Sequence, residues 1–169
     1  PRQLLTLEYP PLLLSYVGSL EALNSHKTVS VVGSRNFTHE SGLWMEEHLK
    51  QFVSKQEICT VSGGARGVDQ RVHQLSIRSN QPTIAWLPSG INKIYPRSLE
   101  DWIGDIVDSG GGIVSGFAPD QEMFKWQFHI RNRWIAGCSP LLIVVEARRR
   151  SGSLVTAGYA REFGRDVAV

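Results

Sequence analysis

The sequence predicts an α/β protein, a mainly parallel sheet with helices on both faces. Two observations carry this. Short, nearly continuous apolar runs alternate with longer stretches of helical spacing. Strands buried on both faces need such uninterrupted apolar sequence. Several of the runs also empty into glycine and serine, which let the backbone turn and approach a ligand closely. The chain has 169 residues, 41% hydrophobic and 20% charged, enough for one domain with a full core.

Residues 1–24 read as a lead-in packing on the core, because Tyr9-Pro10-Pro11-Leu12-Leu13-Leu14 cannot start as a helix. Residues 25–169 form the main domain. Thr28 to Val32 is β-branched and ends at Gly33, the mark of a buried strand. His39 to Ser54 carries Leu43, Met45, Leu49, Phe52 and Val53 mostly at helical spacing. Ile58 to Val61 is a second strand, and Val68, Val72, Leu75 and Ser76 mark the helix after it. Thr83 to Leu87 is a third strand. Ser98 is a candidate cap for a helix carrying Leu99, Trp102, Ile103 and Ile106. Gly112 to Ser115 is a short strand, followed by a helix around Asn132 to Cys138. Leu141 to Val145 is a very apolar strand. Ser153 opens the last helix, which ends near Gly164, and Asp166 to Val169 reads as a final strand. An opening at Pro1 and a close on a strand are expected of one domain of a longer protein.

Charge and composition narrow the function. Eighteen Lys and Arg against 16 Asp and Glu give a net charge of +2, so a nucleic-acid partner requires basic residues gathered locally. Cys59 and Cys138 lie in apolar runs and read as buried free thiols of a reducing, cytoplasmic compartment. No apolar run approaches the roughly 18 residues that span a membrane, and no signal segment opens the chain. The histidines are scattered without ligand spacing, so no metal and no cofactor is expected.

In parallel sheets, ligands bind beyond the carboxyl ends of the strands. The segments there are Gly33-Ser34-Arg35-Asn36, Ser62 to Asp69, Pro88-Ser89-Gly90, Ser115-Gly116 and Glu146 to Ser153. All five place glycine next to serine. Hydroxyls and glycine N–H groups are what a phosphate cradle uses. Ser62-Gly63-Gly64-Ala65-Arg66-Gly67-Val68-Asp69 is the most informative of them, a strand that runs through glycines into a helix.

These segments, at these spacings, resemble the DNA-processing protein A family, also called DprA or Smf. The resemblance covers nearly the whole chain. It rests on Tyr9-Pro10-Pro11-Leu12-Leu13, Val32-Gly33-Ser34-Arg35, Val61 to Asp69 with His73, Gly90 with Tyr95-Pro96, Arg131-Asn132-Arg133-Trp134-Ile135-Ala136-Gly137, and Val145-Glu146-Ala147 with Ser151-Gly152-Ser153-Leu154 and Thr156-Ala157. It implies an extended Rossmann-like fold that binds single-stranded DNA without sequence preference. It further implies a homodimer that delivers the strand to the RecA recombinase during natural transformation, and no catalytic reaction. Two departures stand out: Gly116 where the family commonly has glutamate after serine, and His129 where it has proline.

Single-strand binding needs cations, N–H groups and hydroxyls for phosphates, and aromatics for bases. The DNA-contacting candidates are Gly33, Ser34 and Arg35; Ser62, Gly63, Gly64, Arg66 and Gly67; Lys93, Tyr95 and Arg97; and Ser151, Gly152 and Ser153. Arg35, just past a strand end, is the strongest. Arg66 meets either DNA or Asp69. Asp69, His73, Arg131, Asn132, Arg133 and Glu146 are expected to organise the pocket, with Asp69 fixing the loop, His73 buried and hydrogen-bonded, and Asn132 a candidate cap. Arg148-Arg149-Arg150 adds an electrostatic assist at the same edge. Trp134, Ile135 and the Leu154–Tyr159 helix are candidate dimer contacts. The alternative is a nucleotide-binding protein or nucleotide N-glycosidase of the LOG type. That chemistry lacks its carboxylate, because Thr156 stands where the catalytic glutamate would be.

Overall fold

A computed structural model describes residues 2–169. Its centre is a seven-stranded sheet built from β1 (Ser15–Gly18), β2 (Thr28–Gly33), β3 (Cys59–Ser62), β4 (Thr83–Trp86), β5 (Gly112–Ser115), β6 (Leu141–Val145) and β7 (Asp166–Ala168). The spatial order is β1-β5-β4-β3-β2-β6-β7. Every neighbouring pair is parallel except β1 with β5. The sequence order runs outward from β2 in one direction through β5, then restarts beside β2 with β6. That reversal is a topological switch point, where a crevice opens between the loops leaving β2 and β6.

The helices are α1 (Leu20–Leu23), α2 (His39–Trp44), α3 (Lys50–Gln56), α4 (Val68–Arg78), α5 (Ile103–Asp108), α6 (Gln127–Gly137) and α7 (Gly152–Glu162). A π-helical turn, Met45–Leu49, joins α2 to α3 without a break, so the helix expected from His39 forms as one rod with an extra residue wound in. The two-residue period of β2 splits its side chains between faces. Val29 and Val31 pack with Met45, Leu49, Val68, Val72 and Leu75. Val32 packs on the other face with Trp86, Trp134, Ile135 and Leu142. Burial of both faces is why the strand carries no charged residue, and its two polar side chains are hydrogen-bonded where they are buried, Thr28 to Cys138 O and Ser30 to Ile135 O.

Several boundaries differ from expectation. The lead-in supplies β1, an edge strand too short for the hydrophobic pattern to announce. Ser98 does not cap a helix. A 3₁₀ turn, Arg97–Trp102, precedes α5, and Ser98 Oγ instead accepts from Gln70 Nε2 at 2.9 Å. Helix α6 starts five residues before Asn132, so Asn132 lies within it and caps nothing. Helix α7 is capped by Ser151, whose Oγ accepts from Leu154 N–H, rather than by Ser153. Trp134 and Ile135 are buried in the core and offer no dimer contact.

Cys59 and Cys138 are free and buried, and burial pushes both thiols up to about 12, keeping them protonated and inert. Among the described residues no helix is long and apolar enough to cross a membrane, and no cluster of three or more His, Cys, Asp or Glu is placed to hold a metal ion.

Candidate nucleic-acid interface

The parallel strands bring the five post-strand segments to one edge. Two adjoining depressions lie there. The larger, about 340 Å³, sits at the switch point and is lined by Gly33 to Asn36, by Arg148 and Ser151 to Ser153, and by Phe128, Arg131 and Asn132 of α6. The smaller is lined by Arg35, Gly63, Ala65, Arg66, Pro88, Tyr95 and Pro96, and shares Phe128 and Arg131 with the first. Phe128 therefore stands between them. Arg35 lies over its ring at 5.8 Å and Arg131 at 5.6 Å, while Tyr95 meets it edge-on at 5.9 Å. Two guanidiniums and two rings at one point suit both phosphate and base. Phe128 was not a sequence candidate. Its signal was its position three residues before Arg131, on the same helical face.

Arg131 is the buried member. Its side chain is 4% exposed, with Nη1 at 4.0 Å from Asp69 Oδ2. Asp69 Oδ2 also accepts from Ala65 N–H at 3.3 Å. Burial pushes the Asp69 carboxyl up, opposed by the Arg131 charge and by the loop N–H groups. Burial lowers the Arg131 guanidinium to about 10, so it stays charged at neutral pH. This pair ties the β3–α4 loop to α6.

The glycines of that loop serve internal approach. A Cβ on Gly63 would come within 1.3 Å of Arg131 Nη1. Gly67, at φ +95°, has the backbone of Ser34 and Arg35 against it, 2.4–2.6 Å from where a Cβ would sit. Gly64, at φ +68°, packs on Leu99. Gly63 and Gly64 are buried, and the Ser62 hydroxyl donates into the sheet to Val31 O at 2.7 Å. Ser62 is thus turned away from the edge, a correction to its expected place among the DNA contacts. Ser34 Oγ donates to Asn36 O at 2.7 Å, shaping the turn that presents Arg35. Ser153 Oγ donates to Gly33 O at 2.8 Å and locks α7 onto β2.

Three further candidates have other neighbours. Arg133 faces away from both depressions, over the rings of Tyr159 at 5.0 Å and Phe163 at 5.2 Å, so it braces α6 on α7 and does not organise the pocket. Glu146, at φ 54°, accepts from Thr38 N–H at 2.6 Å and Ser41 Oγ at 2.9 Å, bonds that hold its carboxyl low and fasten the β6 loop to the start of α2. Lys93 pairs with Glu122 at 3.1 Å. By contrast Arg35, Arg66, Arg97, Arg148, Arg149 and Arg150 are all exposed and make no ion pair among the described residues. Of these, Arg35, Arg66 and Arg148 line the two depressions, a local gathering of cations that the net charge of +2 conceals.

His73 lies one turn below Asp69 on α4, fully buried, with Nδ1 at 2.7 Å from Thr83 Oγ1. Thr83 and Ser76 both reach Thr60 Oγ1 at 2.7 Å, so the histidine stitches α4 to β3 and β4. Burial, with the Arg131 charge nearby, pushes its imidazole down to about 3. In the unfolded chain it titrates near 6.5. Below that pH the unfolded state takes up a proton that the folded state refuses. His73 therefore contributes full stability above about pH 6.5, and the contribution falls by up to about 1.4 kcal/mol per pH unit toward the folded value near 3. Urea midpoints should drop between neutral and mildly acidic pH, and His73→Gln should flatten that slope. An unchanged slope would remove the histidine as its source.

Gly116 also has a structural reason. A Cβ there would lie 2.5 Å from the Trp134 ring, so the glycine and the tryptophan go together. Gly116→Glu should destabilise by about 1–3 kcal/mol through overpacking. Trp134→Leu in the same chain should recover part of that loss, as thermal melts of the single and double variants would show.

Comparison with known proteins agrees with this architecture. The family model described as DNA recombination-mediator protein A matches residues 1–169. DNA processing protein DprA of Streptococcus pneumoniae is 37% identical over 160 residues, covering 93% of this chain and 54% of the relative. Protein Smf of Escherichia coli is 38% identical over 167 residues, covering 99% and 44%. The chain thus spans about half the length of these curated relatives. The crystal structure of the S. pneumoniae protein superposes with a TM-score of 0.87 at 35% identity, covering 99% of this chain and 58% of that one. DNA processing protein A of Helicobacter pylori, solved in a study of its single-stranded DNA binding mode, gives 0.89 at 29%, covering 99% and 75%. A molybdenum cofactor binding protein of Rippkaea orientalis, at 0.59 and 17% with 85% and 76% coverage, shares the fold alone. Matched from its first residue to its last, and built like the solved relatives, the chain belongs to the DNA recombination-mediator protein A family.

Proposed function

We propose that this domain binds single-stranded DNA along the carboxyl edge of its sheet. The observation that carries the reading is the Arg35–Phe128–Arg131 cluster, a guanidinium–ring–guanidinium arrangement flanked by Tyr95 and by unpaired arginines. Exposed Arg35, Arg66, Arg97 and Arg148 engage phosphates, and Phe128 and Tyr95 offer ring faces to bases, which any base can use. Ser34 and Gly67 set the Arg35 turn, and Gly33 sets the close approach of β2 to Val145. Asp69 and His73 support α6 and α4 behind it, and Asn132 lines the larger depression beside them. The single-stranded DNA binding studied for the H. pylori relative supports this assignment.

The proposed action is binding without chemistry. Thr156, in the position of the LOG-type glutamate, is buried with its hydroxyl donating to Gly152 O at 3.0 Å. The family's description as a recombination mediator supports delivery of the strand to the RecA recombinase in the cytoplasm during DNA uptake. A homodimer would place two such grooves on one strand and raise avidity without new contacts.

Fluorescence anisotropy across a salt series tests the reading. With three to five phosphate contacts, oligo-dT binding should weaken with a log–log slope of about −2 to −3.5. It should also exceed binding to duplex of the same length. A preference for duplex, or no salt dependence, would refute it.

A further inference from the structure

The switch-point pocket holds a guanidinium with little to donate to. Arg131 is buried, its nearest acid oxygen is 4.0 Å away, and its Nε has no partner among the described residues. Buried donors left unpaired are costly, and a charged one more so. Arg131 shares the inner wall of the pocket with Val32, Asp69 and Thr156, while exposed Arg35 and Arg148 stand at its rim. Helix α7, eleven residues long, opens on the same space through Ser151, Gly152 and Ser153. The N–H groups of Gly152 and Ser153 have no partner among the described residues. They present the positive end of the helix to the pocket.

A strand passing over the edge meets the rim arginines. It reaches the inner wall poorly, because a mid-strand phosphodiester carries one charge and is held between two sugars. A phosphomonoester has one sugar, three free oxygens and close to two charges at neutral pH. It can enter end-on. We propose that this pocket seats a phosphomonoester, the terminal phosphate of a strand or of a free nucleotide, between Arg131 and the start of α7, with the attached base toward Phe128. The strand-end form rests on the single-strand reading above, and the free-nucleotide form does not.

The test compares oligo-dT of one length bearing a 5′-phosphate, a 3′-phosphate or hydroxyls at both ends, binding to the intact domain. A phosphorylated end should bind about tenfold tighter, the worth of one added charge-assisted contact. That gain should fade as pH drops through about 6, where the monoester dianion takes up one proton and falls to a single charge, while the hydroxyl-ended oligomer changes little. Arg148→Ala, at the exposed rim, should reduce the gain in a folded protein, and Arg131→Lys should reduce it while keeping a charge. Displacement by dTMP but not thymidine would assign the pocket to free nucleotides as well. A gain without that displacement would assign it to the strand end. Equal binding of phosphorylated and hydroxyl-ended oligomers would overturn the proposal and leave the single-strand reading intact. Loss of binding to every oligomer would overturn that reading and the strand-end form together. Inorganic phosphate competing as well as dTMP would reduce the site to an anion cradle and overturn the nucleotide assignment.

Discussion

Arg35→Ala weakens oligo-dT binding by about 10- to 100-fold and lowers the magnitude of the salt slope by about 0.7. The first figure is the loss of a charge-assisted hydrogen bond and the second the loss of one phosphate contact. The residue is suited to this role by its surroundings. It is exposed, has no acid partner among the described residues, and is carried by a turn whose backbone rests on Gly67. Its guanidinium already lies over Phe128, so binding a phosphate costs little side-chain ordering. Removing it leaves no buried group unsatisfied, so the thermal midpoint should hold. Anisotropy titrations and a melt of the same sample check both halves. Undiminished affinity, or a protein that unfolds, would contradict this role for Arg35.

The second large effect is on stability. Asp69→Ala strands the Arg131 cation in a buried position and removes the acceptor for Ala65 N–H. Breaking one side of a buried ion pair costs about 3–5 kcal/mol. Removing both sides costs far less when apolar groups fill the space, so Asp69→Ala with Arg131→Met should recover much of the loss. The advantage of a phosphorylated strand end should be lost in that double variant, because the guanidinium on the inner wall is gone. Denaturant unfolding of the single and double variants measures the coupling. Purely additive losses would show that the two residues do not act as a pair.

Much of this arrangement was legible in the sequence, and the part that was not has a common cause. Runs rich in β-branched residues and free of charge, such as Thr28 to Val32, declare strands buried on both faces, because a side chain there must be apolar or, like Ser30, fully hydrogen-bonded. The Gly-Ser-Arg turn and the Ser-Gly-Gly loop lie at the edge where the two depressions open, because in a parallel sheet all strand ends point one way. Side-chain direction was not legible. Ser62 and Ser34 look alike as loop serines, yet one donates into the sheet and the other shapes a surface turn. Arg131 and Arg133 are two residues apart, which on a helix turns them to different faces. One is buried beside Asp69 and the other covers Tyr159 and Phe163. Helix α6 carries a Trp-Gln-Phe-His start with no capping side chain, so its first turn has no sequence signature and the pattern places its beginning near Asn132.

By itself the sequence determined the class of the fold, the order of its main strands along the chain and which segments leave the carboxyl ends of those strands, because periodicity and strand-end residues are local properties of the chain. Only the tertiary structure decided which residues share that edge as neighbours. Phe128 came to lie between Arg35 and Arg131 through the packing of α6 over a crevice between strands more than a hundred residues apart in sequence. Burial then separated arginines of identical chemistry into one that holds the site together and others free to meet a phosphate. That distinction depends on what surrounds each side chain, which only the packed chain supplies.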